Sequence, residues 1–217
     1  MPDLNFEVTG AEVMAFAATP TLGFTLTITN TMPEQPVFSV ALRCQLQITA
    51  PQRRYSREEQ ERLQDVFGTS ERWSQTLHTV LWQHISTVVP AFTDSITMTL
   101  PVSCTYDLEV VSTKYLAALQ DGTVPLLFLF SGTIFYQNEE ANLQVSRVSW
   151  SKEAAFRLPI SLWQAMIEQY YPDTNWLRLQ RDVFDQLYHY KVQHGLPTWE
   201  EAIGQLLAGS QEVEPCS

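Results

Sequence analysis

Strict two-residue alternation through the first fifty positions constrains this chain more than any other feature. In "LGFTLTIT", Leu22, Phe24, Leu26 and Ile28 share one face, while Gly23, Thr25, Thr27 and Thr29 share the other. In "FSVALRCQLQI", Phe38, Val40, Leu42, Cys44, Leu46 and Ile48 alternate with Ser39, Ala41, Arg43, Gln45 and Gln47. Successive strand side chains point to opposite faces, so this pattern predicts half-buried antiparallel strands. The link "NTMPEQP" has the residues of a hairpin turn, and "LNFEV" supplies a partner strand.

The pattern then breaks. "SREE", Ser56 to Glu59, has capping-box spacing and opens a helix bearing Leu63, Val66 and Phe67, with Gly68 at its end. Trp73, Leu77, Val80 and Leu81 continue at helical spacing toward Pro90, so residues 56–90 are expected to form a helical insertion between strands. Alternation returns in "SITMTLPVSCTYDLEV", where Ile96, Met98, Leu100, Val102, Cys104, Tyr106, Leu108 and Val110 share a face. Pro101 cannot donate to a ladder and marks an edge strand or a break. "TKYLAALQDG" predicts a short helix closed by Gly122, and "VPLLFLFSGTIFYQ", apolar on both sides, a central strand covered twice. The turn "NEEAN" and "LQVSRVSW" complete a second hairpin, and from residue 153 helices are expected to about 208. Their apolar faces are Trp163, Met166, Ile167 and Tyr170; Val183, Phe184, Leu187 and Tyr188; and Ile203, Leu206 and Leu207. The expected architecture is one α+β domain over 1–217: an antiparallel sheet or sandwich with an inserted helical segment and C-terminal helices.

At 217 residues and 45% hydrophobic content the chain can bury a substantial core. A net charge of −11 repels nucleic-acid phosphates and anionic membranes, so neither is expected as a partner. The start "MPDLNFEVTG" has no basic segment followed by an apolar one, and the apolar run Val124 to Phe135 is too short to span a bilayer, so a cytoplasmic location is expected.

No phosphate-binding glycine loop, dinucleotide fingerprint, nucleophile elbow or HExxH motif occurs. His78 and His84 fall on nearly opposite sides of a helix, and His189 and His194 lie in no ligand motif, so structural roles are expected for all four. Cys44 and Cys104 both occupy the apolar phase of a strand and read as inert buried thiols, with a metal-handling or enzymatic pair as the alternative. Cys216 lies in a polar tail. No cofactor is expected. The acidic pairs Glu58–Glu59 and Glu200–Glu201 suit helix starts, and Glu139–Glu140 suits a turn. Arg53, Arg54, Arg57 and Arg62 reverse the overall charge locally. The neighbouring glutamates pair with such a run on a solvated surface, but Arg53, Arg54 and Tyr55, ahead of the capped helix, stand out as partner-binding candidates.

"PTLGFTLTITN", "FSVALRCQLQI", "VPLLFLFSGTIF", "FRLPISLWQAMIEQYYP" and "GLPTWEEAIGQLL" together resemble an uncharacterised bacterial family, mainly actinobacterial, whose members often lie in gene clusters for oxygen-tolerant NiFe-hydrogenases. The resemblance covers most of the chain and implies a non-enzymatic accessory or assembly role, with a hydrogenase subunit or maturation factor as partner. Tyr170, Tyr171, Trp176 and Trp199, near helix ends, add aromatic surface suited to such a partner or to helix packing. A fainter likeness is to the export chaperone SecB. There too an antiparallel sheet is followed by two helices in an acidic chain, which implies binding of unfolded polypeptides. The insertion and the extra C-terminal helix depart from that pattern.

Overall fold

A computed structural model describes residues 1–105, 107, 110–138, 140, 142–174 and 179–211, with the backbone alone at 210 and 211. Tyr106, Leu108, Glu139, Trp176 and Cys216 lie outside the described residues. The fold is α+β and divides into two compact units, residues 1–176 and 177–217.

In the first unit, the alternating segments become strands of two antiparallel sheets. β1 (Leu4–Val13), β2 (Thr21–Asn30) and β5 (Ser95–Ser103) form one, in the order β1-β2-β5. The other runs β4 (Val80–Val89), β3 (Val37–Ile48) and β6 (Thr123–Gln137); β7 (Leu143–Arg147) and β8 (Glu153–Pro159) then pair successive stretches of the same β6 edge. The apolar phases read from the sequence face each other across the sandwich. Leu22, Phe24, Leu26 and Ile28 of β2 and Val40, Leu42, Leu46 and Ile48 of β3 are fully buried. Each such side chain contributes about 1.5–3 kcal/mol on leaving water. Phe6 of β1 stacks on Phe130 of β6 at 4.4 Å, and Phe24 meets Phe128 and Phe156 edge-on at 5.2 and 5.8 Å. A one-residue slip of either strand would turn this whole set outward, so burial fixes the register.

Pro101 sits on β5, an edge strand, where its missing N–H costs no ladder bond on the open side. Gly132 has a φ of 152° in β6, opposite Leu42; a Cβ there would collide with the Ala41 carbonyl, so only glycine lets β3 approach this closely.

Between β3 and β4 lie three short helices, α1 (Arg57–Arg62), α2 (Gln64–Phe67) and α3 (Trp73–Thr76). The Ser56–Glu59 capping box forms in both directions. The expected helix through 80–89 is instead β4. Its period is disguised by a bulge, where Leu46 pairs Gln83 and Gln47 pairs Leu81, so Trp82 has no opposite number. The β-branched residues Val80, Ile85, Thr87, Val88 and Val89 favour the strand. A second correction concerns residue 153 onward, where β8 precedes the helix: Ala154, Phe156 and Leu158 point inward between Glu153, Ala155 and Arg157. α4 (Val111–Ala118) matches the short helix expected before Gly122, and α5 (Ile160–Tyr170) packs across β1, β2 and β8. β6 is central in its sheet, but it is not covered twice; Leu127, Leu129 and Phe135 on its outward side are half-buried.

The second unit is a helical hairpin of α6 (Arg181–Gln193) and α7 (Trp199–Gln211). Gly195, at a φ of 64°, ends α6, and Thr198 Oγ1 accepts from Glu201 N to start α7.

Candidate protein-docking face

The three residues singled out beyond β3 diverge sharply. After a 3-10 turn at Ala50–Gln52, Arg53 turns back into the protein: its side chain is 8% exposed and its Nη2 donates to Glu59 Oε1 at 2.6 Å and to the Asp121 carbonyl at 2.8 Å. Glu59, 3% exposed, also accepts from Gln120 N on Oε1 and from Ser56 N on Oε2, both at 3.0 Å. One carboxylate therefore caps α1, neutralises Arg53 and fixes the chain ahead of β6. Breaking such a buried pair strands a charge away from water. Tyr55 is half-buried; its hydroxyl donates to the Ala50 carbonyl at 2.7 Å and accepts from Tyr115 OH at 2.9 Å. Burial, with the two phenols facing each other, raises the Tyr55 pKa, and burial raises that of Tyr115, so both stay protonated. Arg54 alone of the three is exposed. The cluster has the construction of a latch.

The cysteines are equally interior. Cys44 lies in β3 between Ile85 and Phe130, whereas Cys104 follows β5 in the other sheet, its Sγ donating to the Val102 carbonyl at 3.6 Å. Both are free, and burial pushes each thiol up to about 12. A thiolate, the form that attacks or ligates, is thus strongly disfavoured in either position at neutral pH. Among the described residues, no group of three or more His, Cys, Asp and Glu is placed to hold a metal ion.

Of the aromatics near helix ends, Tyr170 packs on the core and donates to the Ala17 carbonyl at 2.8 Å, Tyr171 packs on the same core, and Trp199 contacts Phe184 and Tyr188.

The outward side of the five-stranded sheet is different. Alternation places Arg43 on it from β3, Arg147 from β7, Arg157 from β8 and His84 from β4, with Glu153 the acidic residue among these outward ladder positions. Arg43, Arg147 and Arg157 are exposed and take part in no ion pair among the described residues. Apolar side chains flank them: Val88 is 69% exposed, Val145 59% and Leu143 62%, with Phe38 beside the β3 bulge and the half-buried Phe135 opposite Val145. Trp150, in the turn between β7 and β8, is 92% exposed. Exposed apolar side chains set among arginines that make no ion pair among the described residues are the composition of a recognition surface. Sequence reading missed it because its members come from five strands, two of which, β4 and β8, read as helix. The signal was present in Arg43, which phase alone puts on the outside.

The outward side of the three-stranded sheet is polar: Thr25, Thr27 and Thr29 lie opposite Thr99, Thr97 and Ser95, with Thr27 Oγ1 and Thr97 Oγ1 3.1 Å apart, and Glu7 and Glu12 come from β1.

Among the described residues, no helix is long and apolar enough to cross a membrane. Two solved structures are similar at low level. The CARDB domain of the PF1109 protein from Pyrococcus furiosus, crystallised in complex with di-metal ions, is 14% identical with a TM-score of 0.29, over 73% of this chain and 92% of that one. The structural-genomics target SoR45 is 10% identical with a TM-score of 0.22, over 83% and 93%. Scores this low carry no argument about fold or activity. No curated protein matches the chain significantly. Residues 1–215 match the sequence profile of DUF6084, a family of unknown function, and the chain belongs to that family.

Proposed function

We propose that this protein is a non-enzymatic accessory factor of the cytoplasm that docks another protein on the outward side of its five-stranded sheet. The observation carrying this reading is the concentration there of unpaired arginine and exposed apolar side chains in a chain of net charge −11. The complementary partner is a protein segment that is acidic and apolar in alternation, since acidic groups meet Arg43 and Arg147 while apolar ones cover Val88, Val145 and Leu143. The family resemblance in the sequence supports a NiFe-hydrogenase subunit or maturation factor as the protein that carries it. Capture with tagged protein from a hydrogenase-expressing host tests this. Wild type is expected to recover a hydrogenase component and Arg43→Glu to lose it; recovery of none, or equal recovery by both, would sink the proposal.

A second reading, SecB-like binding of unfolded chains, is favoured by the exposed apolar side chains alone. It predicts comparable affinity for several unrelated unfolded proteins, with little dependence on Arg43. The third, a metal-handling pair of Cys44 and Cys104, has against it two thiols held protonated by burial. Metal analysis of anaerobically purified protein, beside Cys44→Ala and Cys104→Ala, is expected to find no bound metal that depends on either.

A further inference from the structure

The hairpin of α6 and α7 poses a folding problem that the sandwich does not. Each helix is 13 residues long, and Ala202 is the one buried residue among the described side chains of this unit. Isolated helices of this length are marginal in water, and so small an interior cannot offset the entropy of ordering the segment. Yet its apolar side chains recur at helical spacing. Val183, Phe184, Tyr188 and Val192 on α6, with Ile203, Leu206 and Leu207 on α7, all keep more than a third of their surface exposed. Phe184 and Tyr188 are braced against Trp199 at 5.2 and 6.2 Å, and a groove of about 400 Å³ runs along Leu179, Phe184, Leu187, Trp199 and Ile203. Arg181 is the single charged residue among the described residues lining it.

We propose that this groove is filled by the same hairpin of a second copy, the two packing about a two-fold axis as a four-helix bundle. The area fits: the seven exposed apolar side chains leave on the order of 700 Å² per copy, close to the ~800 Å² per partner of a standard interface. The chemistry fits as well. The docking sheet presents unpaired arginines and calls for an acidic partner, whereas this groove is apolar and nearly uncharged, so the surface that matches it is another apolar helical stripe. An isologous pair buries both stripes at once and supplies the interior that one hairpin lacks. Rigid aromatic anchors such as Phe184 and Trp199 are the residue types that dominate such interfaces.

The test uses the full chain in sedimentation equilibrium from about 1 to 100 μM, a range that brackets micromolar association. The expected mass is twice 24.8 kDa, falling toward the monomer on dilution. Phe184→Asp and Leu207→Glu are each expected to weaken association by roughly tenfold or more. Because these variants could also loosen the helices, the wild-type helical circular dichroism is melted at both ends of the concentration range; mass action makes the hairpin's melting temperature rise with concentration if a second copy covers it. A monomer throughout, with melting independent of concentration, overturns the proposal and gives the groove to another occupant. So does a dimer that Phe184→Asp and Leu207→Glu leave intact.

Discussion

Arg43 and Arg53 lie ten residues apart, on and just beyond the same strand, and meet opposite fates. Arg53 looks functional in the sequence, beside another arginine and a tyrosine at the start of a capped helix, yet it is an interior strut paired with Glu59 at 2.6 Å. Arg43 looks incidental between Leu42 and Cys44, yet it is exposed on the outward side of its sheet and makes no ion pair among the described residues. Local charge density is therefore a poor guide to an interaction surface. Partnership decides: the arginine with a buried carboxylate partner stabilises the fold, and the arginine without one is available to another molecule.

That contrast can be broken by mutation. Arg53→Ala is expected to cost about 3–5 kcal/mol by stranding Glu59 in the interior, a large share of a domain's stability of ~5–15 kcal/mol, read as the shift of the urea midpoint. A loss below about 1 kcal/mol would place Arg53 with the surface arginines. Next in size is alkaline lability. Cys44 and Cys104 have folded pKa values raised from 9.0 to about 12, so unfolding releases their protons more readily than the native state does. Their stabilising contribution is complete below pH 9 and is lost as pH rises from there toward about 12. Urea midpoints between pH 8 and pH 11 should fall, and Cys44→Ala with Cys104→Ala should flatten the start of that fall. Tyr55→Phe removes the bonds to the Ala50 carbonyl and Tyr115 OH and should cost about 1–3 kcal/mol. Smallest is Arg43→Glu, expected to change stability by no more than about 0.5 kcal/mol while abolishing partner capture, the reverse of Arg53→Ala in the molecules that still fold.

Much of the sandwich was legible because burial enforces period two wherever one face is covered, as in β2 and β3. Pro101, which marks an edge strand or a break in the sequence, lies on the edge strand β5. The strands that escaped did so for local reasons. β4 carries a bulge at Trp82 that resets its phase, and β8 is a short strand running directly into α5 at Pro159, so one apolar string spans two periods. The proposed docking face was illegible for a topological reason: Arg43, Val88, Val145 and Arg147 come to one sheet face only once the strand order β4-β3-β6-β7 is known. The latch was half legible. The Ser56–Glu59 box was readable, but Asp121 and Gln120, which hold Arg53 and Glu59 from sixty residues away, follow no local signal.

The two outward faces of the sandwich offer the most direct test of the central claim. Tagged wild type, Arg43→Glu and Thr27→Glu are compared for capture of hydrogenase components from the same host, with urea midpoints confirming that all three are folded. Wild type and Thr27→Glu should recover the same component, and Arg43→Glu should recover roughly tenfold less or none. Equal recovery by Arg43→Glu and wild type, or loss with Thr27→Glu alone, would contradict the assignment of the docking face to the five-stranded sheet.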